Sequence, residues 1–194
     1  MADPLTLEID TSQIDQFVQR FPVTGPRIVE RELRIGLDDA LGYTVAQVVD
    51  VTPVNTGVLR ESIYDDILGV KADISGVNLE GIVSSSDYEP KVNAVEFGRK
   101  PGRMPPVEAI ALWVARKGLT ERNPPKRRRV KITKREARRK GILSIAWAVA
   151  THIATKGTVG AAMFQKGFEA SQAYIVKTMD EAIDRILNAW SKEG

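Results

Sequence analysis

The sequence contains no cysteine. That absence excludes a disulfide scaffold, a thiolate metal site and a cysteine nucleophile, and it fits a cytoplasmic origin. A single histidine, His152, stands in the apolar stretch WAVATHIATKG. One imidazole cannot build a multi-histidine zinc site, so His152 reads as a structural or surface residue. No run of about 18 apolar residues exists, which argues against a membrane-spanning helix and a membrane partner. The opening MADPLTLEID lacks the basic-then-apolar order of a signal peptide. Neither the G-x-x-x-x-G-K-(S/T) phosphate loop nor G-x-G-x-x-G is present, and there is no G-x-S-x-G elbow. The run Ser84-Ser85-Ser86 has no evident base beside it. The adjacent pairs Asp38-Asp39 and Asp65-Asp66 do not converge, because neighbouring residues point different ways on a helix and to opposite faces of a strand. The expectation is a non-enzymatic chain with no catalytic, metal or cofactor site.

What is present is a strong charge asymmetry hidden by a net charge of +3 over 194 residues. Between Arg116 and Lys140 lie 13 basic and two acidic residues, so the segment carries +11, and the remainder, with 15 basic and 23 acidic residues, carries −8. A basic segment on an acidic body points to contact with something negative, either nucleic acid or the acidic surface of another subunit. The densest part, Lys126, Arg127, Arg128, Arg129 and Lys131, continues to Arg138, Arg139 and Lys140. These residues are the candidate contacts to DNA or an acidic partner. Leu119–Lys140 holds no aromatic residue, so base stacking of the single-strand-binding kind is not indicated.

Apolar periodicity supplies the elements. Leu5, Leu7 and Ile9 alternate with polar residues as in a short strand, and a brief helix follows over Ile14–Arg20. Val29, Leu33, Leu37, Leu41, Val45, Val48 and Val49 predict a long helix from Pro26 to Val51, ended by Pro53. Gly36 and Gly42 within it are either places of close packing or merely tolerated. Asn55-Thr56-Gly57 is turn chemistry. Val58–Ile67, Lys71–Ile74 and Leu79–Ser84 read as three strands of an antiparallel sheet, with a turn at Ser75-Gly76. Lys91–Phe97 reads as strand or short helix, and Gly98–Gly102 as a loop. Pro105-Pro106 opens a helix to about Lys117 that also faces the sheet, with Trp113 at the edge of its apolar face and Gly118 as its cap. Helices over Arg135–Lys156, ended by Gly157, and over Gln172–Trp190 complete the chain.

The fold expected is α+β: a small antiparallel sheet packed against a long N-terminal helix, with a helical C-terminal part and an exposed basic loop. It reads as a single domain, divided into an α+β core over 26–118, a mobile basic loop over 119–140 and a helical part over 141–194.

Two lines of the sequence carry a resemblance. TPVNTGVLRESI (Thr52–Ile63) is similar to a "P-x-(D/N)-T-G-x-L-(R/K)-x-S-I" line, and Tyr88 with AVEFGRKPGRMPP (Ala94–Pro106) to a "Y…V-E-F-G" line. Both belong to the tail-completion family of long-tailed bacteriophages, the head–tail joining, neck or minor tail proteins. Asn55 stands where Asp is more usual, a swap that keeps the turn role and loses a charge. Farther on, Pro105, Pro106, Ile110, Trp113 and Val114, then Ala150, Ile153, Ala154 and Gly157, then Met163-Phe164, follow the same family's order. The resemblance covers roughly Arg27 to Phe168 and leaves the arginine-rich loop unmapped.

The resemblance implies a virion structural protein made in the host cytoplasm. Its copies form a ring, a hexamer, between the head connector or stopper and the tail tube or terminator. Asn55, Thr56, Gly57, Leu59, Arg60, Glu96, Phe97 and Gly98 are then architectural or interface residues. The alternatives are a tail terminator and a basic nucleic-acid-binding module contacting DNA through residues 126–140. A hydrolytic enzyme of the virion is a weaker third class.

Overall fold

The computed structural model describes residues 25–73, 76–119 and 134–193. They form two compact units, one built from 25–96 with 161–193 and the other from 97–160.

The first unit is α+β. Helix α1 spans Gly25–Val51, a one-turn helix α2 Val58–Glu61, strands β1 and β2 Ile63–Asp73 and Gly76–Ser85, and helix α3 Glu89–Glu96. The chain returns to this unit as a 31-residue helix, Met163–Glu193, the last of the molecule. That helix runs antiparallel along α1: Thr52 meets Met163, Val48 meets Gly167, Gly36 meets Met179 and Ala182, and Glu32 meets Arg185. The spacing of Val29, Leu33, Leu37 and Leu41 puts these side chains on one stripe, and all four are buried with Met179, Ala182 and Ile186. Each large apolar side chain so buried contributes about 1.5–3 kcal/mol. Of the two glycines left open, Gly36 makes a close approach, against the last helix, whereas Gly42 faces open space.

Buried polar groups within this pair are satisfied. Thr44, Thr52 and Ser171 each donate to the carbonyl four residues earlier, at 2.8, 2.6 and 2.7 Å. The Glu32 carboxylate, largely removed from solvent, accepts from Arg31 and Arg185, both at 3.0 Å. Pairing of this kind offsets the cost of desolvating a charge.

Among the described residues the sheet of this unit is a two-stranded antiparallel hairpin, not the three strands expected. Val58–Glu61, expected as the start of a strand, is helical, and β1 then runs unbroken from Ile63 to Asp73. The reason lies in a β-bulge between Ile67 and Gly69. Before it the inward side chains are odd-numbered (Ile63, Ile67), and after it even-numbered (Val70, Ala72). An inserted residue reverses parity, so one strand mimics two. Partner strand β2 keeps one parity throughout, with Val77, Leu79 and Val83 packed towards α1. The inner face of the hairpin thus lies on the long N-terminal helix, as the α+β reading requires. A second cluster, Val48, Leu59, Ile63, Val92 and Met163, closes the end of the unit where α1 stops.

The second unit contains helix α4 (Val107–Arg116), helix α5 (Lys134–Lys156) and a two-residue ribbon pairing β3 (Gly98–Arg99) with β4 (Thr158–Val159). Following it, Met163–Glu193 is α6. Helix α4, expected against the sheet, instead packs on α5, with Val114, Ala146 and Ala150 buried and Trp113 half-buried. Gly118 and Gly157 end the two helices with positive φ, as their positions suggested. Lys91–Phe97, left open between strand and helix, is helical as α3. Gly98–Gly102, expected as a loop, begins with β3. The N-terminal strand and helix expected before residue 21, the Ser75 half of the turn and the loop at 120–133 lie outside the described residues.

Candidate functional site

The two motif lines converge on one end of the α1–α6 pair. Helix α1 leaves its last carbonyls without intrahelical partners at its C-terminus, and α6 leaves its first amides likewise at its N-terminus. Thr52 Oγ1 and Met163 Sδ, 3.4 Å apart, join these two ends.

From the first line, Gly57 takes φ +90°, a left-handed conformation that suits glycine, and turns the chain into α2. Leu59 is thereby buried in the second cluster. One residue on, the Arg60 guanidinium turns back to α1, where Nε donates to the Thr52 carbonyl at 2.9 Å and Nη2 to the Asp50 carbonyl at 3.1 Å. A cation is thus placed on the negative end of the α1 dipole. Asn55 and Thr56 are exposed on the turn. Ser62, also of this line, joins the start of β1 to the end of β2 through a 2.7 Å contact with Ser85.

From the second line, Glu96 is buried at the end of α3 and reaches the start of α6. Its Oε2 accepts from the Phe164 amide at 3.0 Å and its Oε1 from the Gln165 amide at 3.3 Å. These are first-turn donors, and a carboxylate there opposes the positive end of the α6 dipole. The Ala161 and Ala162 amides donate to the carbonyls of Val95 and Glu96, at 2.7 and 3.0 Å. Gly98 has φ +79°, and a Cβ there would lie 2.2 Å from the Thr158 carbonyl oxygen. Between Glu96 and Gly98, the Phe97 side chain is 62% exposed. Tyr88, the first residue of this line, is 72% exposed.

Asp87, which sequence reasoning passed over, accepts from the Lys91 ammonium and from the Tyr88 amide at 2.8 Å, at the start of α3. The Lys91 hydrogen bond, then the Tyr88 amide, hold its carboxyl below the usual carboxylate range. A second unforeseen contact is the stacking of Tyr43 on Tyr174, with centroids 4.0 Å apart, where the Tyr174 hydroxyl donates to Asp39 at 3.1 Å. That hydrogen bond to a carboxylate raises the phenol above its ordinary value. The stacking and its hydrogen bond follow from the antiparallel alignment of two helices far apart in sequence, which no local signal announces, whereas the Asp87–Lys91 pair is local.

Of the basic candidates, Arg138, Arg139 and Lys140 are exposed on the first turns of α5. Lys126, Arg127, Arg128, Arg129 and Lys131 lie outside the described residues. His152 is exposed on α5. Asp39 is engaged with Tyr174, while Asp65 and Asp66 lie opposite Val83 and Ile82 in the hairpin. Ser85 contacts Ser62 and accepts from the Asp87 amide at 3.2 Å. Among the described residues no three or more histidines or carboxylates form a group that could hold a metal ion, and no helix is long and apolar enough to cross a membrane.

Comparison with family models, with curated proteins and with solved structures gave no match.

Proposed function

We propose that this chain is a structural protein of a long-tailed bacteriophage particle, one that completes the tail end or joins tail to head. Its partners in that reading are further copies of itself in a ring of six, the head connector or stopper on one side and the tail tube or terminator on the other. Its place is the neck of the virion, after synthesis in the host cytoplasm.

The observation that carries the reading is the pair of sequence lines that resemble this family, together with the work their residues perform. Arg60 and Glu96, one charged residue from each line, cap the two long helices at their shared end. These are framework duties, such as a subunit of an assembly demands. Large apolar side chains left in solvent support it too, since an assembling subunit needs surface to bury. Tyr88 is such a residue in the first unit, and Phe97, Trp147 and Val159 in the second.

The test is electron microscopy of lysates from phage lacking this gene. Full heads accumulating beside finished, unattached tails are the expected result. Overlong tails move the assignment to a tail terminator, and normal virions overturn it.

A further inference from the structure

The division into two units is also a division of charge. Residues 25–96 with 161–193 carry ten basic and 18 acidic side chains, a balance of −8, whereas residues 97–160 carry 17 basic and three acidic, a balance of +14. The described part of the second unit, 97–119 and 134–160, holds 11 basic residues against Glu108 and Glu136, so +9 does not depend on the arginine run. The boundary between the signs follows the boundary between the units.

Within the second unit the cations gather at both ends of α5. Arg135, Arg138, Arg139 and Lys140 are exposed on its first turns. At its other end stand Lys156 and, brought there by the β3–β4 ribbon and by the Gly102 amide donating to the Ala154 carbonyl at 2.8 Å, the exposed Arg99, Lys100 and Arg103. From Arg138 to Lys156 the helix rises about 27 Å at 1.5 Å per residue.

We propose that the 97–160 unit binds the phosphate backbone of nucleic acid through the exposed cations at both ends of α5. Two acidic residues against 11 basic ones leave the unit strongly cationic, and a polyanion supplies the matching counter-charge. A duplex offers one negative charge per about 1.7 Å of its axis, so phosphates lie within reach of both ends of α5. The alternative counter-surface, the acidic unit of a second copy, is already partly committed. Glu32 is paired with Arg31 and Arg185, Asp87 with Lys91 and Glu181 with Lys177. Phosphate contacts of this kind fix position without reading sequence, so the binding is sequence-independent. The inference rests on charge and placement and is separable from the neck reading.

Fluorescence anisotropy on the full chain tests it, with labelled duplex DNA of two unrelated sequences and a single strand of equal length. Both duplexes bind alike, and affinity falls by about three decades between roughly 50 and 200 mM salt if six phosphates are contacted. One variant replaces Arg138, Arg139 and Lys140 with Gln, and another replaces Lys100, Arg103 and Lys156 with Gln. Both change exposed side chains, and circular dichroism checks that the helices persist. Each lowers the salt slope by about three contacts' worth. Stronger binding of the single strand keeps the phosphate contact and changes its geometry. Wild-type affinity in the Lys100, Arg103, Lys156 variant overturns the two-ended site. Absence of DNA binding at low salt overturns the proposal outright, and salt-sensitive self-association in its place names a second copy as the partner. Normal virions from the gene deletion, by contrast, overturn only the neck reading.

Discussion

Glu96 holds the first turn of α6 from 68 residues away in sequence, and its geometry sets what its loss should cost. Removing both carboxylate oxygens leaves the Phe164 and Gln165 amides without that acceptor in a partly buried place. We expect Glu96→Ala to lower stability by about 0.5–2 kcal/mol, the range for a lost helix cap. Glu96→Gln keeps one acceptor oxygen and loses the charge, so its effect is smaller and of the same sign. Urea denaturation checks both: the midpoint falls in the order wild type, Gln, Ala, with the slope unchanged. Equal midpoints for Ala and wild type would show that the cap contributes nothing. Arg60 works in the same way at the neighbouring helix end, through two carbonyls instead of two amides.

At the scale of elements, the α1–α6 contact is tightest at Gly167, where an added Cβ would sit 2.3 Å from Val48 Cγ2 and 2.8 Å from the Val48 backbone. Gly167→Ala therefore forces the helices apart, at a cost of about 1–3 kcal/mol as for other overpacked cores. Adding Val48→Ala removes the methyl clash but not the backbone one, so the pair of changes restores only part of the lost melting temperature. A full rescue would mean that the side chain alone sets the spacing.

The elements differ in how far the sequence announces them. Helix α1 was legible because Val29, Leu33, Leu37 and Leu41 repeat at helical spacing up to a proline stop. The hairpin was legible as β and miscounted, because the bulge near Leu68 reverses the inward parity and Gly69 reads as a break. Val58–Glu61 is a single turn, too short for any period to show, and its apolar Val58 and Leu59 imitate a strand. The apolar spacing shows helix α6 only from Gln172 onwards, because Gly167, which its packing on Val48 requires, weakens the helical pattern before that point. The capping roles of Arg60 and Glu96 were not legible, since each depends on a partner fixed by tertiary contact.

For the whole molecule, the charge division carries its own expectation. A unit with 17 basic and three acidic residues repels itself, and dissolved ions screen that repulsion. The melting transition that reports on α4 and α5 should therefore rise as sodium chloride is added at neutral pH. The few surface ion pairs of the acidic unit, such as Lys177–Glu181 at 3.5 Å, are individually weak and change its stability little. Hydrogen exchange resolved along the chain distinguishes the two units; an unchanged or falling stability for 134–156 with salt would contradict the expectation. The chain crosses from the acidic unit to the basic one at Glu96 and comes back at Ala161. On one side of that crossing Val95 and Glu96 are bonded to Ala161 and Ala162, and on the other Gly98 pairs with Val159. Each unit thus ties off its own loose ends. A change of length or charge within 97–160 therefore leaves in place the hydrogen bonds by which the other unit closes its own ends.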